Sequence, residues 1–364
     1  MNRLYCLVVA SALCVTTAFS QTGSNCTQTL RLMRTTYEQG RLHELPAMSD
    51  ACLAAAEGKG FTKEERKEAY RLLTLTYIYL EEPEKADESM LKLLETEHFY
   101  EVNTAIDPAE FVALFNKFRH DPIFRYGIKL GGNMTLPATS TYHNIGSTAG
   151  GKGSYSLAGN IQITLMFEKD MPYLKKLIVL APEISWTNRN YGYSNPNLGT
   201  LDTDPGAPVS SISNQEFSFK QQWLDVNGIV QYKLRNTLSR QYYVGLGPGA
   251  SLLLGSSNQA STTIGTGAQK YTVTGPAVDD AKSYNKIVYS ITLVAGAKLK
   301  FGGLYLTGDI RYQYGISNVV NATSRTNSEI AFDYWGGYND YRMSNIMFNI
   351  GVLIPKFTPK KLIK

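Results

Sequence analysis

Beyond its first twenty residues, this 364-residue chain has no run of eighteen uninterrupted apolar residues. A crossing of a bilayer by hydrophobic helices is therefore excluded for that part. Histidine is scarce, with only His43, His98, His120 and His143. None of the four stands at metal-ligand spacing from a cysteine. Only His143 lies where it could join an acid, Asp202 or Asp204, across loops, and a solvated loop histidine is the plainer reading. "GLGPG" at 245–249 lacks the strand–loop–helix setting of a phosphate-binding loop, so backbone curvature is the better reading. No catalytic, cofactor-binding or metal-binding residue is expected, and neither enzyme activity nor nucleic-acid binding.

Cysteine is equally sparse. Residues 1–20 read as a secretory signal peptide: Arg3, an apolar run, then Ala18-Phe19-Ser20 as a small-x-small cleavage site. Cys6 and Cys14 leave with it. Cys26 and Cys52 remain, and an even pair in an exported chain suggests a disulfide, with two reduced buried thiols as the alternative. Across a loop of that length a bridge contributes roughly 3 kcal/mol on the chain-entropy model.

The mature chain divides by periodicity and by charge. Residues 21–122 carry 18 Asp/Glu against 12 Lys/Arg, and residues 123–364 carry 13 against 23. The acidic part has helical spacing and helix punctuation. Thr62 with Glu65 three residues on is a capping box. Pro46 is tolerable only in a first turn, and Pro83 fits a first helical position. A fifth helix is expected after Asp107 as cap and Pro108. Tyr37 and Tyr77 are forty residues apart, as are Pro46 and Ala86. Tyr70, Leu73, Tyr77, Ala86 and Leu93 fall at tetratricopeptide (TPR) spacing, which makes 21–122 a TPR-like helical domain.

From Tyr126 the period becomes two. In "LYLTGDIRYQYGI" (304–316), Leu306, Ile310, Tyr312 and Tyr314 alternate with Thr307, Asp309, Arg311 and Gln313. Eight such stretches follow one another, each about ten residues or longer, which suits a tilted crossing of hydrocarbon. Connections alternate in length: roughly 137–153, 191–214, 255–282 and 317–338 are long, whereas 169–173, 235–240 and 302–303 are short. A soluble sandwich has no reason to sort loops by parity. The expected fold is therefore a TPR-like α-helical domain followed by an eight-stranded antiparallel transmembrane β-barrel over 123–357, with a basic tail at 358–364. Pro182 and Pro248 are each expected at a bulge. Inward Gly131, Gly245, Gly247 and Gly249 leave room for larger neighbours or mark bends.

On this alternation Lys129, Glu183, Asp225, Lys233, Asp309 and Arg311 face the lumen. Eight strands enclose little more than their own side chains, so these charges are expected to pair as a plug. A basic rim at the short-turn end would gather Lys169, Lys175, Lys176, Arg235, Arg240, Lys356, Lys360 and Lys361. Attraction to lipid head groups and a seat for the acidic helices are both open readings of it.

"QQWLDVNGIVQYKL" followed by "QYYVGLGPGASLLL" resembles the middle hairpin of PorT-like outer-membrane β-barrel proteins of Bacteroidota. Trp223, Leu224, Asp225, Val226, Tyr232, Lys233, Tyr243, Val244, Gly245, Gly247 and Pro248 carry the likeness, with Asn227 where that family often has proline. The resemblance spans about 124–357 and implies a closed barrel in the outer membrane, with some members in secretion machinery. The expected function is a non-catalytic barrel that anchors a periplasmic TPR-like module for a periplasmic or outer-membrane protein partner. The alternative is a transport or surface ligand-binding protein using the barrel and its long loops.

Overall fold

The computed structural model describes residues 25–56, 58–143, 153–172, 176–195, 212–237, 239–264, 270–325 and 338–362. The expected signal peptide lies outside them. The chain forms two compact units. One holds the residues up to Asp121 together with Thr358–Lys364, and the other runs from Pro122 to Phe357.

The first unit is helical: α1 (Asn25–Glu38), α2 (Leu45–Ala54), α3 (Lys63–Tyr79), α4 (Pro83–Thr96) and α5 (Ala109–Asn116). Thr62 caps α3 in a full capping box with Glu65, which satisfies two otherwise orphaned amides. Pro83 opens α4, where its missing N–H is not needed. The fifth helix starts one residue later than expected. Pro108 is its N-cap, and the Asp107 carboxylate accepts instead from Arg71 (2.6 Å) and the Asn103 amide (2.8 Å). A charge-assisted bond to a guanidinium outcompetes a helix cap.

Two apolar clusters hold the helices. Leu30, Met33 and Leu45 pack on Leu72 and Leu73, and Met90, Leu93 and Leu94 pack on Phe111 and Phe115. Cys26 and Cys52 are bridged, with their Cα atoms 5.6 Å apart, and tie α1 to α2. The tail belongs to this unit. Arg119 N–H donates to Lys360 O (2.9 Å), Leu362 N–H donates to Lys117 O (2.8 Å), and Lys361 pairs with Asp87.

The second unit is a closed barrel. Its strands are β1 (Phe124–Thr141), β2 (Ser154–Leu157), β3 (Gly159–Asp170), β4 (Ile178–Asn195), β5 (Ile212–Asn236), β6 (Arg240–Ile264), β7 (Tyr271–Asp279), β8 (Ile287–Phe301), β9 (Leu304–Gly315) and β10 (Asp340–Lys356). Eight form an antiparallel ring in the order β1-β3-β4-β5-β6-β8-β9-β10, closed by β1 against β10 from Phe124↔Lys356 to Thr141↔Asp340. Closure leaves the ring no edge in hydrocarbon. The short strands β2 and β7 pair with β4 and β6 outside the ring.

The strands outrun the expected boundaries. β5 and β6 have 25 residues each. At ~3.3 Å per residue and a tilt of ~40°, such a strand rises about 60 Å, more than twice a hydrocarbon band of ~25 Å. Among the described residues, 191–195, 212–214, 255–264 and 271–279 read as loop in the sequence and are strand. The reason lies in polarity. Below about Trp186, Leu224 and Leu252 the outer face is Leu, Ile, Val and Tyr, and the inner face is polar. Beyond them the pattern inverts. Tyr191, Tyr193, Phe217, Phe219 and Trp223 turn inward, while Asn190, Ser194, Glu216, Ser218 and Lys220 turn outward. Outward Ser, Asn and Gln suit water, and in the sequence they read as loop.

Pro182 and Pro248 are not at bulges. Pro182↔Gly228 and Pro248↔Ile291 keep register, and the shifts fall elsewhere, as at Gln222/Trp223 and Lys233/Arg235. The β3–β4 ladder lapses between Met166↔Glu183 and Lys169↔Leu180 and resumes in the same register. A missing donor costs a rung there without an extra residue. Two inward glycines are required by contacts. A Cβ on Gly131 would meet Asn349 Oδ1 at 2.1 Å, and one on Gly247 would meet Gly228 O at 2.2 Å.

Candidate functional site: the barrel interior

Inward side chains come from alternate positions on every ring strand, so each charge is fixed by strand register. They form three tiers. At the short-turn end, Arg125 binds Glu168 (3.0 Å) and Asp170 (2.5 Å). Lys298 donates to Glu168 (2.6 Å) and to Gln231 Oε1 (2.9 Å), and Lys233 pairs with Asp170 (2.9 Å). Lys298 also lies 4.5 Å from the Tyr243 ring centre.

In the middle tier Lys129 donates to Asp309 (2.6 Å) and Glu183 (3.2 Å). Arg311 spans the same two carboxylates, with bonds of 2.6 and 2.9 Å to Asp309 and of 2.9 Å to Glu183. Asn349 (2.8 Å) and the Tyr243 hydroxyl (3.2 Å) also donate to Asp309. The third tier centres on Arg189. It donates to Asp225 (2.6 Å), Gln313 (3.2 Å) and Ser251 (3.3 Å), with its guanidinium 5.2 Å from the Trp223 ring. Thr187 donates to Asp225 at 2.8 Å. Above this tier lies a buried cluster that includes Tyr191, Tyr193, Phe217, Phe219, Trp223 and Tyr341.

Among the described residues, six cations (Arg125, Lys129, Arg189, Lys233, Lys298, Arg311) thus meet five carboxylates (Glu168, Asp170, Glu183, Asp225, Asp309). Every one of these side chains is buried or nearly so. Each carboxylate is held by at least one cation, so none is presented as a free base.

Of the lumen residues named from sequence, Lys129, Glu183, Asp309 and Arg311 come together in one tier. Asp225 and Lys233 sit in the tiers on either side. Their partners Arg125, Glu168, Asp170 and Arg189 escaped sequence reading. Each shares parity with a recognised inward set: Glu168 and Asp170 with Gln162 and Thr164, and Arg189 with Glu183 and Ser185. They lie just outside the ends of the alternating stretches, and continuing the parity would have found them.

The basic rim is only partly gathered. Lys169, Lys176, Arg240 and Lys356 are exposed at or beside strand ends on the short-turn side. Lys360 and Lys361 belong to the helical unit, because the tail pairs with residues 117–119 there. Lys175 and the Arg235 side chain lie outside the described residues, as do Asp202 and Asp204.

His143 meets a different acid. Its Nε2 is 3.0 Å from Asp340 Oδ2, and Arg325 donates to both oxygens of that carboxylate at 2.8 Å. Asp340 lies at the far end, beyond the hydrocarbon. Partial burial pushes its pKa up, but bonds from Arg325, His143 and Asn318 outweigh this and hold it at about 2. The third partner is a guanidinium, not a hydroxyl or thiol, so the group braces the loop ends and does not activate a nucleophile. Among the described residues no His, Cys, Asp or Glu trio is placed to hold a metal ion.

The model of a family described as outer membrane protein beta-barrel domain matches residues 120–321, more than half of the chain. Solved structures with similarity include OprG from Pseudomonas aeruginosa (13% identity, TM-score 0.34, 64% of this chain and 96% of that one). Neisserial surface protein A is similar at 12% identity (TM-score 0.29, 63% and 96%). The attachment invasion locus protein Ail of Yersinia pestis is similar at 11% (TM-score 0.27, 64% and 99%). No curated protein matches the sequence.

Proposed function

The chain belongs to the outer-membrane β-barrel family, and from that premise we propose that it is a non-catalytic, non-conducting anchor carrying a protein-interaction module. The observation that carries this is the filled interior. Three tiers of buried ion pairs under an aromatic layer support a plugged lumen in a ring of eight strands. Up-and-down topology with short turns at the end that holds both barrel termini supports a periplasmic position for them, since such barrels turn tightly on that side. The helical unit at 21–122, joined by the tail, is then periplasmic. Its paired helices and forty-residue spacing support a TPR-like unit, and such repeats bind proteins. The PorT-like hairpin supports a place in an envelope or secretion assembly. Planar-bilayer recording of the full-length protein tests the first part: steady single-channel conductance would refute it. Affinity purification from native membranes, with an Arg311-intact barrel and the helical unit in place, tests the second. Recovery of no envelope protein would refute the module's role.

A second reading has its own observation. β4, β5 and β6 continue well beyond the hydrocarbon with polar side chains outward, which supports a rigid surface platform for ligand binding.

A further inference from the structure

The helical unit holds an open cleft of about 650 Å³ where α3 begins and α4 ends. Lys63, Arg66 and Tyr70, at positions i, i+3 and i+7 of α3, form one wall. Lys92, Glu95 and Thr96 of α4 form the other, and the buried Phe61 also lines it.

Two of the three cations here are already matched. Lys63 pairs with Glu97 at 3.1 Å, and Lys92 pairs with Glu88 at 2.6 Å. Farther along α3, Arg71 is matched by Asp107 at 2.6 Å. Arg66 is not. Among the described residues it has no ion pair, and its Nε is buried without a hydrogen-bond partner. That is unexpected over residues 21–122, where 18 acidic residues stand against 12 basic ones. A buried N–H left without an acceptor keeps its full desolvation cost. The Nε–H of a guanidinium and the amino N–H beside it form a planar fork that fits the two oxygens of one carboxylate.

We propose that this cleft receives an acidic residue of a partner polypeptide, an aspartate or glutamate whose carboxylate forks onto Arg66. Charge decides the occupant. The one unmatched cation calls for one negative charge. A phosphate dianion would exceed it and would meet Glu95, exposed on the α4 wall. A peptide also brings N–H donors, and Glu95, Thr62 and Thr96 present oxygens to them. The volume suits several residues of chain better than a lone ion, since clefts of roughly 300–1,000 Å³ accommodate drug-sized ligands. The inference rests on the protein-interaction reading of the helical unit and gives the chemistry of its partner.

The test uses the full-length protein in detergent, applied to immobilised hexapeptides with acetylated and amidated ends. One set carries a central Glu among uncharged residues, and its twin carries Gln. Retention on a subset of the Glu peptides, about tenfold or more above their Gln twins, is expected. Arg66→Gln should abolish the preference. Arg66→Lys, which keeps the charge and loses the fork, should keep part of it. Arg31→Gln, at an exposed cation on α1, should behave as the wild type does. Because Arg66 has no partner to lose, Arg66→Gln should leave the melting temperature of the helical unit unchanged; a marked drop would assign Arg66 a structural role instead and overturn the proposal. No Glu preference in the wild type also overturns it, as does an unchanged preference in Arg66→Gln. Displacement of the peptides by inorganic phosphate, but not by sodium chloride at the same ionic strength, would mark a free-anion site and overturn it too. Recovery of an envelope protein by affinity purification without any Glu preference would sink this site and leave the module reading standing. A Glu preference with no protein recovered would do the reverse.

Discussion

Replacing Arg311 with methionine separates a sealed interior from a wet one. Its guanidinium bridges Glu183 and Asp309 from the centre of the middle tier. Without it the two carboxylates keep only Lys129 between them, so a tier with two positive and two negative groups becomes net negative. Asn349 and Tyr243 still donate to Asp309, but Glu183 keeps a single contact, Lys129 at 3.2 Å. Breaking a buried ion pair from one side costs about 3–5 kcal/mol, because the partner charge is stranded. That is a loss of roughly a hundred- to several-thousand-fold in the unfolding equilibrium. In a water-filled lumen the same carboxylates would be solvated and screened, and the change would cost about 0–1 kcal/mol, as at a surface. Reversible urea unfolding of the barrel refolded in lipid vesicles reads the difference. The paired change Arg311→Met with Glu183→Met should recover most of the loss, because the Lys129–Asp309 pair that remains leaves the tier without net charge and no carboxylate stranded. A single-variant cost under about 1 kcal/mol refutes both the sealed interior and the anchor reading built on it.

Leu293→Arg, on the lipid face near mid-band, should destabilise the barrel by about 2–4 kcal/mol in vesicles, whereas Ser218→Arg on the extension should cost near zero. Equal costs would mean that the polarity inversion does not mark the edge of the hydrocarbon. Reducing Cys26–Cys52 should destabilise the helical unit by about 3 kcal/mol, read as a lower melting temperature with reductant and checked against Cys52→Ser. Thr62→Ala should cost that unit about 1 kcal/mol through loss of the α3 cap. The same cap gives an acid signature. Slight burial works to raise the Glu65 pKa, but bonds from the Thr62 amide, Thr27 and Thr62 together bring it below its ordinary 4.5. A carboxylate lowered on folding adds stability that is present above 4.5 and lost as pH falls through the folded value. Glu65→Gln should flatten that acid limb, and an unchanged pH profile would refute the assignment. Glu81 occupies the left-handed turn between α3 and α4 at φ 58°. Glu81→Gly there should stabilise by up to about 1 kcal/mol in the same melting assay.

Two periodicities made the plan of this protein legible in one dimension. Helix punctuation at Thr62 and Pro83 and the two-residue alternation from Tyr126 depend only on neighbouring residues, so they survive without coordinates. The same local rule placed Lys129, Glu183, Asp309 and Arg311 on the inner face, since parity alone decides which side of a strand a residue takes. Parity cannot say how high around a ring a side chain sits. That height follows from register between strands far apart in sequence. Only the closed ring therefore brought Arg311 to Glu183, Lys298 to Glu168 and Arg189 to Asp225. The tertiary structure also decided where the membrane stops. A strand in lipid and a strand in water are equally well bonded; they differ in which face is apolar, and the inversion past Trp186 and Leu224 becomes visible only when the inner aromatic rings of β4, β5 and β10 are seen to meet.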